Sequence, residues 1–441
     1  MPRATEPGVA GLLGKRVSRR TLLKTTGAAG LAAASNLPLV SIAGAQSSTI
    51  KIGWAGSLSG IRAAFAESDP WIQEKVAQLL KDGLQIGGKN YAVEFVIKDN
   101  NSDGNRSSVV ANELVLREQC DLILIQDGDA ATPIGVLGDA RGVPSISTMV
   151  PWQGWMFPRG STPDKGFPYS FHFFWGADDV VKNFVAMWES ISSNKKVGTL
   201  YVDNPAGHAF ADEQTGLPAG IKQAGYQEIS TGHFQIATDD FANQVSTFKH
   251  EGADIVSGFT FGNHWVTFWN QAAQAGFKPE VCTVAAAFLF PSAVNALGDR
   301  GDGMSTEVWW TPTYPFTSSL TGQTAQELAD RWEQETGNQW TQPIGYGHAL
   351  WEVGLAALKN SDPKDKDSVR DAIANLDMET VVGPVKFKDS PIKSVAITSL
   401  SGGQWRKSES GHFPYELLIV NNGTAPFIPK QADLVLLSEL G

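Results

Sequence analysis

Two acids one glycine apart, Asp127-Gly128-Asp129, begin one residue beyond the apolar run Leu122-Ile123-Leu124-Ile125. Carboxylates so spaced on a loop can hold a cation or accept from a hydroxyl-bearing ligand, and they serve equally well as ordinary loop caps. A second polar cluster, Asp99-Asn100-Asn101-Ser102-Asp103-Gly104, matches the first half of an EF-hand loop. Its twelfth position is Val110 where a bidentate Glu is needed, so it reads as a solvated turn before a helix. Gly56-Ser57-Leu58-Ser59-Gly60 carries leucine at its centre and is no nucleophile elbow. The seven histidines show no paired metal spacing, Cys120 and Cys282 lie far apart and read as two buried thiols, and no glycine-rich dinucleotide fingerprint follows a strand. With no motif for catalysis, a metal or a cofactor, the expectation is a binding protein that works with none of these.

The acids are positioned by a strand, loop, helix and second strand. Leu122 to Ile125 is too short for a helix and fits a parallel strand buried on both faces. Thr132-Pro133 reads as helix cap and first turn, Gly142 as the stop, and Val143 to Ile146 as the next strand. In such sheets ligands sit beyond the carboxyl ends of the strands, which selects the loop from Asp127 to Thr132 and the one after Ile146. Thr49 to Trp54 is an earlier strand, and Asp69-Pro70 starts a helix that places Trp71 near the same end. An aromatic connector from Pro151 to Trp175 follows. The pattern then restarts with strands at Lys196–Val202, Ala253–Phe259 and Val281–Ala286, a loop from Asp203 to His208, and a helix capped by Asn263. Two runs of alternating strand and helix predict two α/β lobes.

Ser18-Arg19-Arg20-Thr21-Leu22-Leu23-Lys24, leading into an Ala/Gly-rich stretch that ends at Ala45, reads as a twin-arginine export signal. Residues 1–45 carry six Lys or Arg against Glu6, so removing them takes the net charge from −11 to −16. That acidity opposes nucleic-acid binding, and no later apolar run approaches a membrane span. The expectation is a soluble periplasmic protein without direct membrane insertion once the signal is removed.

Lys51-Ile52-Gly53, Gly56-Ser57-Leu58-Ser59-Gly60, Gly142-Val143-Pro144, Asn270-Gln271-Ala272, Tyr346-Gly347-His348-Ala349 and Val382-Gly383-Pro384-Val385-Lys386-Phe387 occur in this order. In their order and spacing, over about residues 48–410, the chain resembles the type I periplasmic solute-binding proteins of branched-chain-amino-acid-type ABC importers. The resemblance implies an α/β fold of two Rossmann-like lobes joined by three crossovers, placed near 172–176, 307–312 and 380–386. Residues 46–174 plus 311–382 would form one lobe and 175–310 plus 383–441 the other, closing on a small-molecule ligand. It also implies a membrane permease as partner. A periplasmic sensor subunit of the same fold is the alternative, and an exported enzyme has no motif to support it.

The resemblance is most informative where it fails. The family's carboxylate-binding Ser-rich loop and the following Ser/Thr fall here on Asp127-Gly128-Asp129 and Met149-Val150-Pro151, its Tyr on Ala206, and its ammonium-binding acid near Ala285. Both handles for an amino acid are therefore missing, and large apolar groups stand in their place: Trp152, Trp155, Phe261, Trp265, Phe288 and Phe290. The ligand-binding set implied is Phe65, Trp71, Asp127, Gly128, Asp129, Met149, Trp152, Asn204, Ala206, Phe261, His264, Ala285 and Phe288, suited to a bulky, apolar or aromatic molecule. A cationic or amino-acid-like ligand is the competitor. Trp152 and Trp155 could stack on a ligand ring or plug the connector, and the four-residue spacing of Trp265 and Trp269 is that of a packed helix face.

Overall fold

The computed structural model describes residues 49–408 and 411–440, so the expected export signal at 1–45 lies outside the described residues. In chain order the strands are β1 (Thr49–Gly56), β2 (Leu84–Ile86), β3 (Lys89–Asp99), β4 (Leu122–Ile125), β5 (Ser145–Ser147) and β6 (Ser170–Phe173). Then come β7 (Lys196–Val202), β8 (Gln227–Phe234), β9 (Ile255–Phe259), β10 (Val281–Ala285) and β11 (Ser305–Val308). The last are β12 (Asp377–Thr380), β13 (Gly383–Lys386), β14 (Val395–Ala396), β15 (Ser401–Lys407) and β16 (Tyr415–Asn421).

They form two seven-stranded sheets among the described residues, ordered β14-β6-β5-β4-β1-β3-β2 and β16-β15-β11-β10-β9-β7-β8, with β12 and β13 as a separate hairpin. Every pair of the first sheet is parallel except β2 with β3 at its edge, and in the second sheet β15 and β16 add antiparallel onto β11 while the other pairs are parallel. Runs such as Leu-Ile-Leu-Ile in β4 and Val-Cys-Thr-Val-Ala in β10 are buried at every position, because a parallel sheet is covered by helices on both faces. Cys120 and Cys282 are both buried free thiols.

Three segments connect the sheets. The first is residues 174–176, between β6 and the helix Ala177–Glu189, so most of the expected aromatic connector from Pro151 to Trp175 belongs to the first sheet and its flank, and the second follows β11 at Trp309-Trp310. The helix Pro343–Lys359 returns to pack on β4 and β5 of the first sheet. Its start is pressed onto the second connection: a Cβ at Gly345 would stand 2.3 Å from Trp310 Cγ. The third connection corrects the expectation. It does not run at 380–386, because Val395 and Ala396 pair in parallel with His172 and Phe173 of the first sheet. The chain enters the second sheet only at Ser401, so residues 383–396 do not belong with the second sheet. A two-residue strand leaves no periodicity to read, and the apolar residues on either side of the connection blend into one apparent strand.

Candidate functional site

The carboxyl ends of the parallel strands of both sheets face a cleft of about 640 Å³. Its first wall is built on the ends of β1, β4 and β5, and its second on the ends of β7, β9 and β10. The floor is made by Phe174, Trp175 and Trp309 of the first two connections together with Glu307 of β11.

At the end of β4 the helix begins five residues earlier than the Thr132-Pro133 signal suggests. It spans Gly128–Arg141, with Asp127 as its cap in extended conformation. Asp127 Oδ1 accepts from the Asp129 and Ala130 backbone N–H groups at 2.6 and 3.3 Å, satisfying donors that the first helical turn leaves open. Its Oδ2 takes the Ser57 hydroxyl and the Arg62 Nε at 3.1 Å. A second guanidinium nitrogen reaches Asp129 at 2.6 Å. The acid pair is thus a helix cap joined to an ion triad, and Arg62 is a charged residue that sequence reasoning missed. Burial depresses the Arg62 pKa, but attraction and hydrogen bonding from the two aspartates more than offset it and leave it raised. Burial also raises that of Asp129, against the opposing pull of Arg62.

The loop after β5 is held from behind. His172 donates or accepts at both ring nitrogens, to the Ser147 hydroxyl at 2.9 Å and the Val150 carbonyl at 2.8 Å, and its ring stacks on Trp155. Burial pushes its pKa down to about 3, so it is neutral and acts as a positioning residue. Met149 ahead of it adopts the left-handed region, φ 61°, and lines the cleft with Val150 and Pro151.

On the second wall Asn204 caps the helix Pro205–Phe210, accepting from Gly207 N–H at 2.7 Å. Asn204 and Ala206 face the cleft with Ile236, Phe259, Phe261, Ala286 and Leu289. Glu307, at the end of β11, is 1 % exposed. It accepts from the Ala286 N–H at 3.0 Å and the Thr306 hydroxyl at 2.7 Å. Burial pushes its carboxyl up to about 7.

Of the expected ligand-binding residues, Phe65, Asp127, Gly128, Asp129, Met149, Asn204, Ala206 and Phe261 line this cleft together. Five do not. Trp71 belongs to a hollow on the outer side of the first lobe, packing on Trp332 and donating to Glu335. Trp152 lies edge-on to Phe157 behind the wall, which is completed by Pro151 and Gly154. His264 is buried with its Nε2 at 2.9 Å from the Ile236 carbonyl, supporting a wall residue instead of reaching the cleft. Ala285 is enclosed in β10 while Ala286, with φ 61°, lines the cleft. Phe288 packs edge-on against Trp265, and its neighbour Leu289 lines the wall. Trp155 and Trp265 are core residues, and Phe290 meets Phe65 edge-on at 4.9 Å.

Arg62, Glu307, Trp175 and Trp309 were not expected. An arginine in the loop after the first strand, at the same sheet end as two aspartates, was the available sign for Arg62. Glu307 ends a short run ahead of Val308-Trp309-Trp310, and only the pairing of β10 with β11 brings it beside Ala285. Among the described residues no group of three or more His, Cys, Asp or Glu could hold a metal ion, and no helix is long and apolar enough to cross a membrane.

Comparison with known proteins agrees with this frame. A family model described as periplasmic binding protein matches residues 49–409. The "Leu/Ile/Val-binding protein homolog 7" of Brucella abortus (strain 2308) is 24% identical over 222 residues, 49% of this chain and 54% of that protein, so the chain spans about half the length of the curated relatives it matches. A leucine-binding protein from Thermotoga maritima MSB8 superposes with a TM-score of 0.68 at 15% identity, covering 85% of this chain and 99% of that one. A solute-binding protein of an ABC transporter from Rhodopseudomonas palustris BisB5, in complex with 3,4-dihydroxybenzoic acid, gives 0.68 at 18% identity, covering 88% and 98%. These relatives are solute-binding proteins and not enzymes. With the family match running through both sheets and the cleft between them, the chain belongs to the type I periplasmic binding proteins of the branched-chain-amino-acid family.

Proposed function

We propose that this protein is the exported, periplasmic solute-binding subunit of an ABC importer, and that it captures a bulky, largely apolar or aromatic small molecule and delivers it to a membrane permease. The observation that carries the reading is the lining of the cleft. Phe65, Phe174, Trp175, Phe259, Phe261 and Trp309 supply aromatic surface, while the positions at which the family holds an amino acid carry Met149-Val150-Pro151, Ala206 and Ala285. Each aromatic wall contributes about 0.5–1.5 kcal/mol beyond simple burial. Asn204 remains as a polar group that orients the solute. The dihydroxybenzoate-bound neighbour supports an aromatic solute on this fold. Capture proceeds by closure of the two lobes about their three connections.

The test is a thermal-shift screen across amino acids, aromatic acids, amides, amines and polyols, followed by small-angle scattering with the best hit at saturation. A solute at a hundred times its Kd stabilises the protein by about 2.7 kcal/mol. The expected result is stabilisation by an aromatic or apolar solute, a smaller radius of gyration, and no tight binding of leucine, isoleucine or valine. Micromolar binding of any of those three, or an unchanged radius at saturation, overturns the reading.

A further inference from the structure

We propose that the captured solute is an organic cation, an amine or quaternary ammonium on an apolar body, and that the carboxylate of Glu307 on the cleft floor is its counter-ion. This deepens the reading above and rests on it.

The first observation is a charge count. The charged residues lining the cleft are Arg62, Asp127, Asp129 and Glu307, and among the described residues no lysine or histidine lines it. The single cation is already spoken for, with Arg62 bonded to both aspartates at 3.1 and 2.6 Å. A solute carboxylate entering here meets no free positive partner and faces an excess of negative charge. A cation meets the opposite field, concentrated by low-dielectric walls.

The second observation is the surroundings of Glu307. Its partners are an N–H and a hydroxyl, both neutral, and β15 places Gly402 opposite it. Gln342, at the start of the helix behind, donates to its backbone carbonyl. The charged groups facing it across the cleft are Arg62, Asp127 and Asp129. The cleft that Glu307 lines is also lined by three aromatic rings that pack on one another, Phe174 on Trp175 at 4.3 Å and on Trp309 at 5.3 Å. A buried carboxylate without a counter-ion is costly, and a carboxylate next to aromatic faces is the setting in which a desolvated organic cation is held best. Burial pushes the Glu307 carboxyl up to about 7, so below that pH the proton it holds passes to solvent when the cation binds and one positive charge replaces another.

The strand register adds a structural reason. Thr283 of β10 lies beside Ser305 of β11, which brings Glu307 level with Ala285 at the carboxyl end of the sheet. The left-handed Ala286 turns its N–H onto the Glu307 carboxylate, which fixes the carboxylate at the cleft end of β10 and β11.

The test is calorimetry with three probes that share an indole body and differ in the head group: tryptamine, tryptophol and indole-3-acetate. The expected result is binding of tryptamine at least about tenfold tighter than either of the others, and loss of that advantage in Glu307→Gln, whose melting temperature serves as the folding control. Wild-type protein gives a second readout that needs no variant. Alkylamines stay protonated near neutrality, so tryptamine affinity rises roughly tenfold from pH 6 to pH 8 as Glu307 ionises, whereas tryptophol affinity does not. Absence of tryptamine binding, a flat pH profile, or indole-3-acetate binding as tightly as tryptamine overturns the proposal. If tryptophol or indole-3-acetate binds while tryptamine does not, the aromatic-solute reading stands and the cation alone is lost. If the broader screen is also blank, both fall.

Discussion

Replacing Arg62 by alanine isolates the charge balance at the first wall. The guanidinium is 18% exposed, and its partners Asp127 and Asp129 are 4% and 37% exposed. Removing one member of a fully buried pair costs about 3–5 kcal/mol, because the other charge is stranded. Here the cost is smaller for two reasons. Asp127 keeps the Ser57 hydroxyl and the N–H groups of Asp129 and Ala130, and Asp129 faces water over more than a third of its side chain. Arg62→Ala should therefore lose about 1.5–3 kcal/mol at pH 7, the residue of the buried-pair cost after solvent screening. The pH dependence identifies the cause. Burial already raises the pKa of Asp129, and without the opposing pull of Arg62 it takes a proton at higher pH in the folded variant. A folded-state pKa above the unfolded value favours the fold as pH falls, so the deficit should narrow between pH 7 and pH 4. Urea unfolding followed by tryptophan fluorescence at both pH values measures it, and Asp129→Asn in the Arg62→Ala background should recover part of the loss through a coupling of about 1 kcal/mol. An equal deficit at both pH values, with no coupling, would assign the effect to packing of the arginine stem and refute the electrostatic reasoning.

Two further expectations concern the second wall and the floor. Gly207→Ala places a Cβ 1.9 Å from the Val202 carbonyl oxygen, so the helix Pro205–Phe210 must shift. A loss of about 1–3 kcal/mol in urea unfolding is expected, together with weaker solute binding, and unchanged stability would show that the loop yields freely. Glu307, raised from 4.5 to about 7 by burial, binds its proton more tightly folded than unfolded. Stability of the empty protein from this group is present below pH 4.5 and is lost as pH rises through about 7. Relative to Glu307→Gln, the wild type should lose roughly 2–4 kcal/mol between pH 4 and pH 8 in urea unfolding, and parallel curves for the two proteins would contradict it.

The frame was readable because parallel strands covered on both faces appear as short, continuous apolar runs ended by polar loops. Leu122–Ile125 with Asp127 behind it is the clearest case, and strand ends are where a cleft must lie. The aromatic residues were harder to place. Trp152 and Phe288 each adjoin a true wall residue and His264 lies three positions from one, and in segments so closely packed no periodicity tells which neighbour faces the cleft. Arg62 and Glu307 escaped for a different reason. Each acquires its meaning from a partner brought close by folding, Asp127 for one and Ala286 for the other, and no local pattern announces such a pairing.

The pairing of β14 with β6 also bears on how the chain assembles. Val395 lies opposite His172, yet β7 to β11 of the other sheet are all translated between them. Until the last part of the chain is available, the first sheet ends on an open, apolar β6 whose backbone groups await a neighbour, the kind of edge that captures foreign strands. Contacts so distant along the chain are slow to form because the loop must close before they are rewarded. The first lobe, although most of it is synthesised first, therefore finishes late, and the interval before β14 docks is when the folding chain is most exposed to aggregation.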